Sequence, residues 1–168
     1  MQQTLVIYKP DAVQRGIVGE IMTRFENAGF KIVGIKMIEP DYDHYHQHYE
    51  GIGTLKTRKG DEIFEATLAS MQEGPVIAMV IEGVEAVETV RKMVGATEPK
   101  AALPGTIRGD YAHATFGQAS STGKGVANIV HASADADEAK KEVKHWFKDS
   151  ELYTYSVVHE YYTQPKKK

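Results

Sequence analysis

The sequence predicts an α+β fold: a four-stranded, mostly antiparallel sheet, ferredoxin-like in plan (βαββαβ), with helices packed on one face. Three observations predict it. Strand-like and helix-like stretches follow the order β-α-β-α-α-β-α-loop-β-α. The first and third strand candidates, Thr4–Tyr8 and Val76–Ile81, are the most continuously apolar and so belong in the middle of the sheet. The chain has 168 residues, 42% hydrophobic and 26% charged, which suits one domain over 1–168 that buries a core without staples.

Each element has a local reason. Thr4–Tyr8 is β-branched and apolar, and Pro10 stops it because a proline cannot continue a ladder. Asp11 can cap the helix that follows, where Val13, Ile17, Ile21, Phe25 and Ala28 recur at helical spacing before Gly29. Lys31–Glu39 alternates Val33, Ile35 and Met37 on one face, and Pro40-Asp41 breaks it. Two weaker helices are expected at Asp43–Tyr49 and Glu62–Met71, joined by a glycine-containing loop near 51–61. Val76–Ile81 is apolar at six successive positions, as a strand buried on both faces would be. A helix then puts Ala86, Val87, Val90 and Val94 inward and closes at Gly95. From there to Gly125 the chain reads as irregular, with a flexible insertion near 113–126, and segments of that kind are often functional. Asn128–His131 reads as a short strand. Ser133 can cap a last helix whose face holds Ala136, Ala139, Val143 and Trp146. The end, near 163–168, reads as a flexible tail closing on Lys166–Lys168.

Composition narrows the function. Zero Cys excludes a disulfide framework, a Cys-ligated metal and a Cys nucleophile, and fits a reducing compartment. Net charge is −3, from 20 Lys+Arg against 23 Asp+Glu, which argues against dedicated nucleic-acid binding. The chain has no long apolar run, and its first strand begins too early to leave room for a signal peptide. A soluble cytoplasmic protein with no membrane partner is expected.

Three polar clusters carry possible chemistry. Lys9-Pro10-Asp11 ends the first strand. Arg91, Thr97 and Arg108 flank the start of the irregular stretch. Asn128, His131 and Ser133 follow it, with Glu142 on the next helix. A lysine, two arginines and a hydroxyl suit a polyphosphate, because Arg offers bidentate forks and Lys a compact charge. His131 is then a candidate nucleophile or general base, and a carboxylate on one ring nitrogen would fix its tautomer. Taken one at a time, these residues are equally a structural histidine, solvated surface cations and an exposed helix glutamate. On composition alone they support only an anion site.

The wording of the motifs is more specific. Lys9-Pro10-Asp11-Ala12-Val13-Gln14-Arg15-Gly16, Gly74-Pro75-Val76, Pro104-Gly105-Thr106-Ile107-Arg108-Gly109-Asp110 and Asn128-Ile129-Val130-His131-Ala132-Ser133 occur in that order. From about Thr4 to Phe147 the chain resembles the nucleoside diphosphate kinase family. The resemblance implies ping-pong transfer of a γ-phosphate from a nucleoside triphosphate, typically ATP, to a nucleoside diphosphate through phosphohistidine, and so upkeep of nucleotide pools. His131 matches the nucleophile, with Nδ1 as its attacking nitrogen, and Glu142 the orienting carboxylate. Lys9, Arg91, Thr97, Arg108 and Asn128 match the residues that hold phosphates and sugar. Tyr49 matches a tyrosine beside the histidine, and Ser133 a supporting hydroxyl. Mg²⁺ would travel with the nucleotide phosphates, with no protein metal ligand. A symmetric homo-oligomer, hexamer or tetramer, is also implied.

The chain departs from the family pattern in places. The usual His-Gly-Ser-Asp is His131-Ala132-Ser133-Ala134 here, so the acid is lost or displaced to Asp135. The family's base-stacking Phe pair is Ile63-Phe64, so Ile63 offers apolar contact without an aromatic face unless Phe64 takes over. The stretches after Tyr49 and after Asp110 are longer than usual. Gly117–Gly125 looks like a phosphate-binding loop, but its glycine spacing and Gly125 in place of Ser/Thr argue against one. A hydrolase relying on Lys124 and a silent binding relative remain the competing readings. His44, His46 and His48 could be a metal cluster, though a solvated polar stretch is the simpler reading.

Overall fold

The computed structural model describes residues 1–164, and the Lys166–Lys168 run lies outside them. In chain order the elements are β1 (Gln2–Tyr8), α1 (Pro10–Gln14), α2 (Val18–Asn27), β2 (Lys31–Ile38), α3 (Tyr42–His46), a π-helical turn (Gln47–Ile52), α4 (Leu55–Lys59), α5 (Asp61–Met71), β3 (Val76–Gly83) and α6 (Ala86–Val94). A short 3-10 turn (Pro99–Ala101), α7 (Ile107–Tyr111), α8 (Phe116–Thr122), β4 (Val130–Ala132), α9 (Ala136–Trp146), a second 3-10 turn (Asp149–Glu151) and α10 (Glu160–Thr163) complete them.

The sheet order is β2-β3-β1-β4, with every neighbouring pair antiparallel. This is the expected ferredoxin-like α+β plan, with the two most apolar strands at its centre. The helices, however, cover both faces rather than one. Val6, Tyr8, Met79 and Ile81 pack with α2 and α6 through Ile21, Phe25, Ala86 and Val90. Leu5, Ile7, Ala78 and Val80 pack with α3, α5 and α9 through Tyr45, Phe64, Leu68, Val143 and Trp146. Side chains alternate across a strand, so a run apolar at every position needs cover on both sides.

Other expectations change locally. The first helix is two, broken at Arg15-Gly16, and Lys9 rather than Asp11 stands at its N-cap. The irregular stretch holds α7 and α8, and the loop near 51–61 holds α4. α9 is capped by Asp135, whose side chain accepts from the Asp137 and Glu138 N–H groups, so Ser133 is left for another task. After α9 the chain returns along the outer edge of β2, where Tyr153 N–H donates to the Val33 carbonyl at 2.7 Å. A Cβ on Gly34 would lie 2.9 Å from Leu152, so glycine is what allows this close return.

Candidate active site

His131 lies on β4 opposite Ile7, and alternation along the strand sends its side chain to the face where α9 packs. α9 carries Glu142, which is 1% exposed rather than an ordinary surface position. Glu142 Oε1 accepts from His131 Nε2 at 2.9 Å, and Oε2 accepts from Ser133 Oγ at 2.5 Å. Ser133 Oγ in turn accepts from the Leu5 N–H at 3.2 Å, which fixes the hydroxyl proton toward the glutamate. A carboxylate only accepts, so the His131 proton lies on Nε2 and the free lone pair lies on Nδ1.

The approach to His131 is strained. Ile129 is β-branched yet has φ of +58°, a conformation that is uncommon and costly for such a residue. Its N–H is held by Asp11 Oδ2 at 3.1 Å and its carbonyl by the Lys9 N–H at 2.9 Å, so the start of α1 clamps the turn. Asn128 is thereby turned inward, and its Nδ2 donates to the Thr97 carbonyl at 2.9 Å while its Oδ1 stays buried without a partner.

Three cations, Lys9, Arg91 and Arg108, gather here. Arg108 is 7% exposed and donates to the carbonyls of Asn128, Gly95 and Val130 at 3.2, 3.0 and 2.5 Å. Burial lowers its guanidinium to about 10, and Arg91 pushes it the same way. Burial likewise pulls the half-buried Lys9 ammonium down to about 8, opposed by Asp11 and reinforced by Arg108. Arg91 is exposed, with Nη1 3.5 Å from the Ser133 carbonyl. Positive groups crowded together in this way form a site prepared for an anion. They are also the wrong lining for a directly ligated Mg²⁺, which prefers oxygen donors, so the residues fit a metal that arrives on phosphates.

The π-helical turn presents both Tyr49 and His48 to the interior. Gly53 N–H donates to the His48 carbonyl five residues back, and this wider turn buries two neighbours at once. The Tyr49 ring is 6.3 Å from that of His131; burial pushes its phenol well above the usual range, and its hydroxyl has no partner. His48, which the sequence offers only within a possible metal cluster, also lies here. It is 1% exposed, and its ring is 4.6 Å from that of His131. The signal for it was its adjacency to Tyr49 in sequence. Donor atoms of His48, His131 and Glu142 lie within 4.8 Å of one another, but the close ones are engaged: His48 Nδ1 by the Trp146 indole and His131 Nε2 by Glu142. His44 stacks on His145 at 4.0 Å, so the three histidines do not form one cluster.

Thr97 and Ile63 are exposed. Ile63 stands on the first turn of α5, while Phe64 is fully buried in the core and cannot take its place. Lys124 is exposed just after α8, whose C-terminus is closed by Gly123 at φ +66°. A helix C-terminus presents carbonyls and partial negative charge, the opposite of a phosphate cradle.

The nucleoside diphosphate kinase family profile matches residues 2–152. The chain is 45% identical over 167 residues to the nucleoside diphosphate kinase of Pyrococcus furiosus, covering 99% of this chain and 96% of that one. A solved nucleoside diphosphate kinase from Borrelia burgdorferi, a transition-state mimic with bound vanadate and ADP, is similar at TM-score 0.92 and 40% identity over 96% of each chain. A halophilic nucleoside diphosphate kinase from Halobacterium salinarum in complex with CDP is similar at TM-score 0.81 and 36% identity, over 96% of this chain and 97% of that one. The chain belongs to the nucleoside diphosphate kinase family, a family of transferases.

Proposed function

We propose that the chain moves the γ-phosphate of a nucleoside triphosphate to a nucleoside diphosphate in two steps through phosphohistidine on His131. The observation that carries this reading is the Glu142–His131 bond, which leaves Nδ1 as the nitrogen with a lone pair. In the first step Nδ1 attacks the γ-phosphorus, the bond to the β-phosphate oxygen breaks, and the diphosphate leaves. The ring becomes cationic, and Glu142 compensates that charge. In the second step a terminal oxygen of the acceptor diphosphate attacks the phosphorus and the N–P bond breaks. Lys9, Arg91 and Arg108 neutralise the phosphates, with Thr97 and Asn128 supplying neutral contacts to phosphate and sugar and Tyr49 lining the nucleophile. Mg²⁺ would arrive on the nucleotide and would neutralise phosphate charge there, while Lys9, Arg91 and Arg108 hold the phosphates that carry it. Ile63 packs the base, and an aliphatic contact selects little among bases. The relatives bound to ADP and CDP support nucleotide substrates for this chain.

In the cell this reaction would maintain nucleoside triphosphate pools in the cytoplasm. The assembly proposed is a homo-oligomer; Ile35 and Met37 of β2, 48% and 56% exposed, are apolar surface suited to a subunit contact. Sedimentation gives the oligomer size.

The test of the reaction is incubation with γ-labelled ATP and Mg²⁺ without acceptor. Wild type is expected to release ADP and retain acid-labile, base-stable label, and His131→Asn to retain none. Label persisting on His131→Asn, or none on wild type, overturns the reading.

A further inference from the structure

Behind the proposed nucleophile lies a pair of buried residues, His48 and Trp146. The buried His48 imidazole sits between the ring of His131, 4.6 Å away at 76°, and the indole of Trp146, 5.5 Å away at 89°. Trp146 Nε1–H donates to His48 Nδ1 at 3.1 Å. An indole nitrogen only donates, so Nδ1 of His48 is bare and its ring proton lies on Nε2. That same Nδ1 is 3.6 Å from Glu142 Oε1, the oxygen that receives His131 Nε2–H. A second imidazole therefore faces the orienting carboxylate with its lone pair turned away to the indole.

Space-filling does not account for this arrangement. His48 Nε2 is buried with no partner, a desolvation cost that an apolar side chain would avoid. Without the indole bond, His48 could carry its proton on Nδ1 and offer it to Glu142 Oε1 in competition with His131. Glu142 Oε2 is already held by Ser133, so the carboxylate has no idle oxygen to give.

We infer that Trp146 is a positioning residue: its indole N–H locks His48 in the Nε2–H tautomer, which keeps Glu142 Oε1 for His131 and so keeps the lone pair on His131 Nδ1. The inference rests on His131 being the nucleophile, as proposed above. Burial, with His131, His145, His44 and Lys9 adding to it, holds the His48 pKa well below its ordinary value, which removes the competing imidazolium as well.

The experiment uses the full chain labelled with ¹⁵N-histidine, to read ring tautomers by NMR, alongside rapid-quench phosphoenzyme formation and ADP calorimetry. Wild type is expected to show His48 and His131 both as Nε2–H tautomers. Trp146→Phe should move His48 toward Nδ1–H, disturb the His131 tautomer and slow phosphorylation by about 10-fold or more at unchanged ADP affinity. His48→Leu, which has no proton to offer Glu142, should stay within about threefold of wild type, and the double variant Trp146→Phe/His48→Leu should regain the rate that Trp146→Phe loses. A folded Trp146→Phe with wild-type tautomers and rate overturns the inference. So does a double variant no faster than Trp146→Phe alone; wild-type His48 found as the Nδ1–H tautomer overturns it as well, and that spectrum decides alone if Trp146→Phe does not fold. Absence of phosphoenzyme in wild type overturns the nucleophile instead, and the tautomer spectra still report on the lock.

Discussion

At the scale of single residues, the site depends on groups that can play only one hydrogen-bonding part. Glu142 accepts at both oxygens, which fixes the proton of His131 and of Ser133 together. In Glu142→Gln one of those positions becomes an NH₂ donor, so either Ser133 must reverse or His131 must move its proton to Nδ1. Phosphorylation should then slow by about 10- to 100-fold with ADP affinity retained. An unchanged single-turnover rate would show that Glu142 does not orient the ring. Lys9 illustrates the opposite constraint, a charge kept where it is uncomfortable. Its folded pKa of about 8 lies below that of an unfolded lysine, so between those values the unfolded chain binds more protons and this group's contribution to stability rises with pH. At pH 7 the buried charge opposes folding, and Lys9→Met should stabilise the fold by about 1–2 kcal/mol while impairing transfer. In wild type, ADP binding should weaken as pH rises above about 8 and the ammonium is lost. A Lys9→Met protein that melts below wild type at pH 7 would contradict the account.

At the scale of elements, the turn Asn128–His131 is where local preference and fold disagree. No propensity favours Ile129 at φ +58°; Asp11 and the Lys9 amide impose it from α1. Asp11→Ala should cost about 1–2 kcal/mol and lower the phosphorylation rate, whereas Asp11→Asn, which keeps an acceptor for the Ile129 N–H, should retain most of both. Equal losses in the two variants would assign the effect to charge instead of the turn. Elements with a strong internal pattern were legible in the sequence: β1 and β3 from their apolar runs, and α6 and α9 from their periodicity. The motif residues Lys9, Arg108, Asn128 and His131 stand out in the sequence as candidates, and the fold gathers them around β4. What was not legible depended on partners distant in the chain. Glu142 reads as a surface residue until Ser133 and His131 are folded over it, and His48 reads as one of three polar histidines until a π-helical turn rotates it inward. α8 reads as a loose glycine-rich insertion because its support lies on α5, where Ser70 Oγ accepts from the Gly125 N–H at 3.0 Å. Lys124, beyond the carbonyl end of that helix, should tolerate change to Ala with phosphorylation within about twofold of wild type; a loss as complete as that of His131→Asn would return the phosphate-loop reading.

At the scale of the whole molecule, the two edges of the sheet have separate tasks. β4 at one edge carries His131, the proposed nucleophile, while β2 at the other carries the returning C-terminal segment. Lys31 joins that segment to the sheet: its Nζ, on a residue 5% exposed, is 2.8 Å from both Glu82 of β3 and Glu160 of α10 and 2.9 Å from the Tyr155 carbonyl. Burial raises the Glu82 pKa, but bonds from Lys31 and Gln3 outweigh it, and the carboxyl ends below its ordinary value. Its contribution is therefore present above the ordinary carboxylate range and lost as pH falls through the folded pKa. Lys31→Met would leave two carboxylates facing each other with no cation between them. Both remain partly wet, so the expected loss is about 1–3 kcal/mol, smaller than for a fully buried pair. The segment from Tyr155 to Thr163 should open first, giving faster chymotryptic cleavage at Tyr155, Tyr161 and Tyr162 at temperatures where the rest of the chain is intact. Phosphorylation of His131, normalised to the oligomer present, should stay within about twofold of wild type, because the clamp around it draws nothing from β2 or α10. If instead Lys31→Met slowed phosphorylation while the tyrosines stayed protected, the two edges would be coupled through the central strands.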